Sequence, residues 1–179
     1  MNKEIAIDGP AGAGKSTIAK RVAEKLGLIY VDTGAMFRAI ALYMTGKCVK
    51  SNETDKVKEE LNNIRLDIVY ENGEQQIILN DENVSKLIRN PEISKAASEF
   101  AQVPEVRERL LILQRELADK RPVVMDGRDI GTKVLPSASV KIFLTADVKV
   151  RAERRYKELT EKGEKVNLED IMSDIKSRD

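Results

Sequence analysis

Apolar positions along the chain fall into two periods. Short continuous apolar runs at residues 4–7, 28–32, 122–127 and 140–144 have the length and aliphatic character of strands buried on both faces of a parallel sheet. Between them, residues 17–26, 35–45, 51–63, 84–89, 92–101, 104–119 and 148–162 read as helices. Met36, Ile40 and Tyr43 or Met44 share a face of the second helix, which Gly46 would stop. Val57, Leu61 and Ile64 stripe the third, and Val106, Leu110, Leu113 and Leu117 stripe the sixth. From Leu66 the period changes: Leu66, Ile68 and Tyr70 alternate with other positions, Asn72-Gly73 supplies a hairpin turn, and residues 76–79 form the return strand. The strand, helix and strand over residues 4–32 make a βαβ unit, so the expected fold is α/β, with ligands gathering at the carboxyl ends of the strands. An antiparallel hairpin inside that order predicts an inserted subdomain rather than another strand of the parallel sheet.

Length and composition narrow the function classes. The 179 residues fit one domain with a small insertion. With 31 basic and 30 acidic side chains, the net charge of +1 provides no bulk field for nucleic acid or anionic lipid. Aromatic residues make up 4% and Trp is absent, which argues against stacking platforms for single strands and favours a small-molecule partner. The chain has no His and one Cys, Cys48, so a zinc enzyme, a Ser-His-Asp hydrolase and an internal disulfide are excluded. Cys48 itself reads as an ordinary buried or half-buried thiol. No run reaches membrane-spanning length and the first residues do not resemble a signal peptide, so a cytoplasmic protein that binds neither membrane nor nucleic acid is expected. Near-neutral charge gives no pressure toward assembly, and a monomer is expected.

The chemistry starts at Gly9, Pro10, Ala11, Gly12, Ala13, Gly14, Lys15 and Ser16, which read G-x-x-x-x-G-K-S between the first strand and the first helix. Backbone N–H groups of such a turn point inward at a helix N-terminus, where the dipole also favours anions. Lys15 would reach the terminal phosphates of a nucleoside triphosphate and the Ser16 hydroxyl would coordinate Mg²⁺. Asp126, ending an apolar run, would hold the same ion at a strand's carboxyl end or merely cap the next turn. Arg151, Arg154 and Arg155 lie at i, i+3 and i+4 on one helix face, either as solvated surface or as a lid over a triphosphate.

A phosphate loop alone leaves a GTPase, a motor-type ATPase or a small-molecule kinase open, and the N-K-x-D guanine clamp of the first does not occur. Instead the chain offers a second set of anion-binding groups in Arg38, Arg107 and Arg128. An acceptor that is itself a phosphate needs such a set, because two anions must be brought together against their repulsion. That pattern points to a nucleoside monophosphate kinase. A module that binds ATP without transferring phosphate would have no use for it, whereas a kinase for UMP or AMP would.

The loop through Thr17, the stretch Tyr30-Val31-Asp32-Thr33-Gly34-Ala35-Met36-Phe37-Arg38-Ala39, the pair Val106-Arg107 and the stretch Met125-Asp126-Gly127-Arg128-Asp129-Ile130-Gly131-Thr132 together resemble bacterial cytidylate kinases, a branch of the P-loop nucleoside monophosphate kinases. The last stretch separates that family from adenylate, shikimate and dephospho-coenzyme A kinases, and the likeness runs from residue 4 to 179. It implies a P-loop NTPase-type sheet, an inserted monophosphate-binding subdomain with a small antiparallel sheet at about residues 46–100, and a short helical lid at about 148–165. It further implies transfer of the ATP γ-phosphoryl group to CMP or dCMP. The loop with Lys15, Thr17 and Arg151 would then serve ATP. Arg38 and Arg128 would take the CMP phosphate, and Ser98, Arg107 and Asp129 the cytosine, with Thr33 nearby. Arg178 would lie near the ribose, while Lys15, Arg128, Arg154 and Arg155 would stabilise charge in transfer. The family fold continues for about forty residues past the position of Asp179, through a last strand and a closing helix. Without them, weakened CMP binding and little turnover are expected.

Overall fold

The structure is a computed structural model and describes residues 3–71, 73–161 and 163–178, the side chain of Arg178 excepted. Four strands, β1 (Glu4–Asp8), β2 (Ile29–Asp32), β6 (Val123–Gly127) and β7 (Val140–Phe143), form one parallel sheet in the order β2-β6-β1-β7. β6 is therefore inserted between the first two strands of the chain. It pairs Met125 with Ala6 on one side and with Val31 on the other. The βαβ unit read from the sequence is accordingly open: β1 and β2 share no ladder.

Alternation along these strands sorts their side chains onto two faces. Ile5, Ile7 and Val124 pack against Ala19 and Ala23 of α1 (Lys15–Leu26). Ala6, Val31, Val123 and Met125 pack on the other face against Ala118 of α5 (Pro104–Lys120) and against Ile130, Val134 and Leu135. α1 ends at Gly27, whose left-handed backbone lets its N–H reach the carbonyls of Ala23 and Glu24. β7 departs from the sequence expectation. It pairs only with β1 among the described residues, and Val140, Ile142 and Phe143 are 45%, 39% and 70% exposed instead of buried.

The second sheet is antiparallel and consists of β3 (Leu66–Glu71), β4 (Glu74–Leu79) and the two-residue β5 (Glu82–Asn83). Of the expected turn pair, Asn72 lies outside the described residues. The sheet does not stand alone. Ile77, Leu66 and Leu79 share a continuous core with Met36, Ile40 and Met44 of α2 (Thr33–Gly46), Val57 and Leu61 of α3 (Thr54–Leu61), Ile93 and Ala97 of α4 (Pro91–Phe100), and Val106 and Leu110 of α5. The antiparallel sheet is thus packed through one core against α2, the helix that follows β2.

A helix expected at residues 84–89 reduces to one 3₁₀ turn, Leu87–Arg89. The local polar groups explain it. The Ile77 N–H donates to the Ser85 hydroxyl, the Ser85 N–H and hydroxyl both donate to the Asn83 carboxamide oxygen, and the Val84 N–H donates to the Ile77 carbonyl. These bonds hold the segment extended and compete with a helix. Cys48 is exposed, contrary to expectation, and sits in a left-handed backbone conformation at the end of α2. α6 (Val148–Glu161) is followed by α7 (Leu168–Arg178), a helix beyond those expected; Ala152 and Leu159 pack against Ile171 and Ile175 in a small core of their own. No described helix is long and apolar enough to cross a membrane.

Candidate active site

Three strands of the parallel sheet end in an acidic residue at the same edge: Asp8 on β1, Asp32 on β2 and Asp126 near the end of β6. The glycine-rich loop leaves β1 there and enters α1 through Gly14. Gly12 has a φ of +74° and packs against the Arg151 backbone, where a Cβ would stand 3.3 Å from the Arg151 carbonyl oxygen. Both its conformation and its neighbour favour glycine.

Asp126 is the centre of the arrangement. It is 4% exposed, and both carboxylate oxygens are hydrogen-bonded: Ser16 Oγ donates to Oδ2 at 3.0 Å and the Tyr30 hydroxyl donates to Oδ1 at 2.8 Å. Burial, reinforced by the charge of Asp32, pushes its acid form up to about 6, while Tyr30, Ser16 and Lys15 pull in the opposite direction. Burial likewise lowers the Lys15 ammonium from its ordinary value, and the nearby Arg128 charge adds to the effect; Asp126, Asp32 and Asp8 oppose it. Lys15 Nζ donates to the Pro10 carbonyl at 2.9 Å, folded back onto its own loop. Tyr30 is held neutral by burial and by the two carboxylates beside it.

The residues expected on the acceptor side arrive from other elements. Asp32 caps α2 by accepting from the Ala35 N–H at 2.9 Å, and its second oxygen accepts from Arg38 Nη2 at 2.9 Å, so Arg38 is aimed from the first turns of α2 across the strand end. Arg107, at the start of α5, is paired with Asp129 and also donates to the Ala101 carbonyl at 3.3 Å. Asp8 accepts from the backbone N–H groups of Ile130 and Gly131 at 2.7 and 2.8 Å, anchoring to β1 the turn that carries Arg128 and Asp129. That turn continues as a five-residue π-helical segment, Ile130–Val134.

Other expected residues are placed less directly. The Thr33 hydroxyl donates to the Asp126 carbonyl at 2.7 Å from a buried position, which ties α2 to β6. Ser98 donates to the Ser94 carbonyl within α4. Arg151 is buried, with Nε donating to the Ala146 carbonyl and Nη1 to the Ala11 carbonyl of the loop, and Arg154 donates to the carbonyls of Gly12 and Ala13 at 3.3 Å. Arg155 instead donates to Glu158 of its own helix. The Arg178 side chain lies outside the described residues.

Sequence reasoning missed Asp8, Tyr30 and Gln75. Asp8 carried a usable signal, since it occupies the strand-end position that singled out Asp126. Tyr30 and Gln75 carried none, because a polar atom in a strand is uninformative until its neighbours are known.

A family model described as cytidylate kinase matches residues 5–179. The chain belongs to the cytidylate kinase family. Curated relatives named cytidylate kinase agree with that membership. The protein of Caldicellulosiruptor saccharolyticus is 51% identical over 175 residues, spanning 98% of this chain and 77% of that one. A Clostridium perfringens relative (strain SM101) is 51% identical over 181 residues, covering 100% and 82%, and one from Lactobacillus gasseri is 47% identical over 176 residues, covering 98% and 76%.

Proposed function

We propose that the chain transfers the γ-phosphoryl group of ATP to CMP or dCMP, giving ADP and CDP or dCDP. Family membership supports the substrate class, and one structural relationship carries the reading. Lys15 of the glycine-rich loop lies in the same electrostatic neighbourhood as Arg128 and as Asp32, the carboxylate that holds Arg38. These contacts support a reading in which donor-side and acceptor-side cations serve one site at the carboxyl edge of the sheet. Two polyanions can meet there with their repulsion neutralised on both sides.

In this reading the loop from Gly9 to Thr17 holds the ATP phosphates through backbone N–H groups and Lys15. Arg38 and Arg128 hold the phosphate of the acceptor. One of its oxygens is already ionised at neutral pH and attacks in line, so no general base is needed and the lack of His is no handicap. Lys15 and Arg128 stabilise the charge as it moves from donor to acceptor. Arg151 and Arg154 keep α6 against the loop as a lid, with Arg154 adding positive charge beside the donor phosphates. Arg155 would join them by leaving Glu158. The Ser16 hydroxyl and the Asp126 carboxylate, 3.0 Å apart, are hard oxygen donors suited to Mg²⁺, and the cation would offset the cost of a buried carboxylate. When bound there, Mg²⁺ supplies Lewis-acid stabilisation of the donor phosphate oxygens.

Base selection falls to the Arg107–Asp129 pair, with the Ser98 hydroxyl of residues 46–100, read here as the monophosphate-binding subdomain, as a further contact. Cytosine offers an N4–H₂ donor beside acceptors at N3 and O2, so a carboxylate and a guanidinium match it together. Uracil presents O4 to the carboxylate and leaves it unpaired, which disfavours UMP by about 1–3 kcal/mol. The test is a panel of nucleoside monophosphates with ATP as donor, with ADP release as readout. CMP and dCMP are expected to turn over fastest, and faster turnover of UMP or AMP refutes the assignment.

A further inference from the structure

β2 is the outer strand of the parallel sheet beside β6, and its open edge is covered by side chains of the antiparallel hairpin instead of by another strand. Gln75 Oε1 accepts from the Asp32 N–H at 2.7 Å and Gln75 Nε2 donates to the Asp32 carbonyl at 3.4 Å. A single carboxamide thereby engages both backbone groups of Asp32. Two residues back on the same edge, the Tyr30 carbonyl accepts from the Tyr70 hydroxyl at 3.2 Å. Tyr70 and Gln75 stand directly opposite one another in the β3–β4 ladder, so their side chains project from one face of the hairpin as a pair.

The residue gripped in this way is the one that orients Arg38. The backbone N–H and carbonyl of Asp32 both face Gln75, its Cα stands in register with Asp126 of β6, and its carboxylate receives Arg38 Nη2 at 2.9 Å and the Ala35 N–H at 2.9 Å. Freeing one side of Asp32 would let the strand end and its carboxylate move, and the guanidinium would follow. We infer that Gln75, assisted by Tyr70, is a positioning residue for the acceptor phosphate, acting through Asp32 on Arg38. The hairpin is then part of the acceptor site, although neither Gln75 nor Tyr70 needs to touch the substrate. The inference rests on the assignment of Arg38 to the acceptor phosphate.

Gln75→Met keeps the length of the side chain and removes both hydrogen bonds. Steady-state kinetics of this variant are expected to show the KM for CMP raised about tenfold, since misplacement by less than an ångström is costly in such sites. The KM for ATP should stay within about twofold. Arg38→Ala alone should raise the KM for CMP further, and adding Gln75→Met to it should have no additional effect. Tyr70→Phe, which removes one oxygen, is a milder second variant if Gln75→Met folds poorly, and it should shift the KM for CMP in the same direction. Equal changes in both KM values, or additive effects of the Gln75 and Arg38 substitutions, would overturn the inference. If Arg38→Ala raises the KM for CMP while Gln75→Met and Tyr70→Phe do not, only the role of the hairpin fails. If Arg38→Ala itself leaves that KM unchanged, the acceptor assignment and the inference fall together.

Discussion

Ser16 and Asp126, 110 positions apart in the chain, meet at 3.0 Å, with the hydroxyl donating to a carboxylate whose other oxygen is claimed by Tyr30. This contact joins the first turn of α1 to the end of β6 and gives Asp126 a defined pH dependence. Its ordinary value in an unfolded chain is about 3.9, and burial beside Asp32 pushes it up to about 6 in the folded state. Between those values the folded chain binds the extra proton. The contribution of Asp126 to stability is therefore most favourable below about pH 4, declines as pH rises to about 6, and is constant and unfavourable above that. Relative to wild type, Asp126→Asn should melt at a higher temperature near pH 8 than near pH 4, as thermal denaturation at the two pH values would show. The same substitution should lower kcat by about a hundredfold or more.

Lys15 carries a related trade. Its ammonium is partly desolvated, as its lowered value records, and is held by the Pro10 carbonyl. Lys15→Met removes a buried charge along with the donor-side cation. The expected outcome is a loss of about a hundredfold or more in kcat with no drop in Tm. A variant retaining more than a tenth of wild-type turnover would show that the loop lysine does not stabilise charge in the transfer.

The Arg107–Asp129 pair is partly exposed, so its value as an ion pair is small, about 0–1 kcal/mol. Asp129→Asn should leave Tm nearly unchanged. Its effect belongs in selectivity, because a carboxamide can turn its N–H₂ toward O4 of uracil. The ratio of kcat/KM for CMP over UMP is expected to fall about tenfold or more. An unchanged ratio would remove Asp129 from base recognition.

Gly9 tests the loop itself. Its φ is +147°, and an added Cβ would stand 2.0 Å from the Leu144 carbonyl oxygen, a backbone atom already fixed by the bond from the Leu144 N–H to Asp8. Gly9→Ala should destabilise the fold by about 3 kcal/mol or more. Gly46, at the end of α2, offers the control, because an added Cβ there would meet nothing within 4 Å. At that position Gly→Ala should be neutral or stabilise by up to about 1 kcal/mol, measurable by urea denaturation.

The aliphatic runs, the glycine-rich turn with Lys15 and Ser16, and the stripes of α2, α3 and α5 were legible because each depends on spacing within one element. So was the acidic strand end at Asp126. Local patterning failed where distant groups compete. Residues 84–89 have helical spacing, yet the Ser85 hydroxyl accepts from the Ile77 N–H of the neighbouring strand and the Ser85 N–H donates to Asn83. β7 is apolar enough for a sheet centre, yet it stands at the edge beside β1. α7 did carry a signal, since Leu168, Ile171, Met172 and Ile175 repeat at helical intervals, but its stripe is short and finds its partner only in α6.

By itself the sequence determined the kind of element formed by most segments, α1 to α6 and the longer strands among them, and offered the cationic residues proposed to meet phosphates, because backbone preference and side-chain chemistry are properties of neighbours along the chain. The tertiary structure alone decided that β6 lies between β1 and β2, that Asp8 fastens the turn bearing Arg128 and Asp129, and that Gln75 grips Asp32 from another sheet. Those relationships depend on which buried polar groups find partners once the cores have closed, and a hydrogen bond between residues far apart in sequence leaves no period along the chain from which to read it.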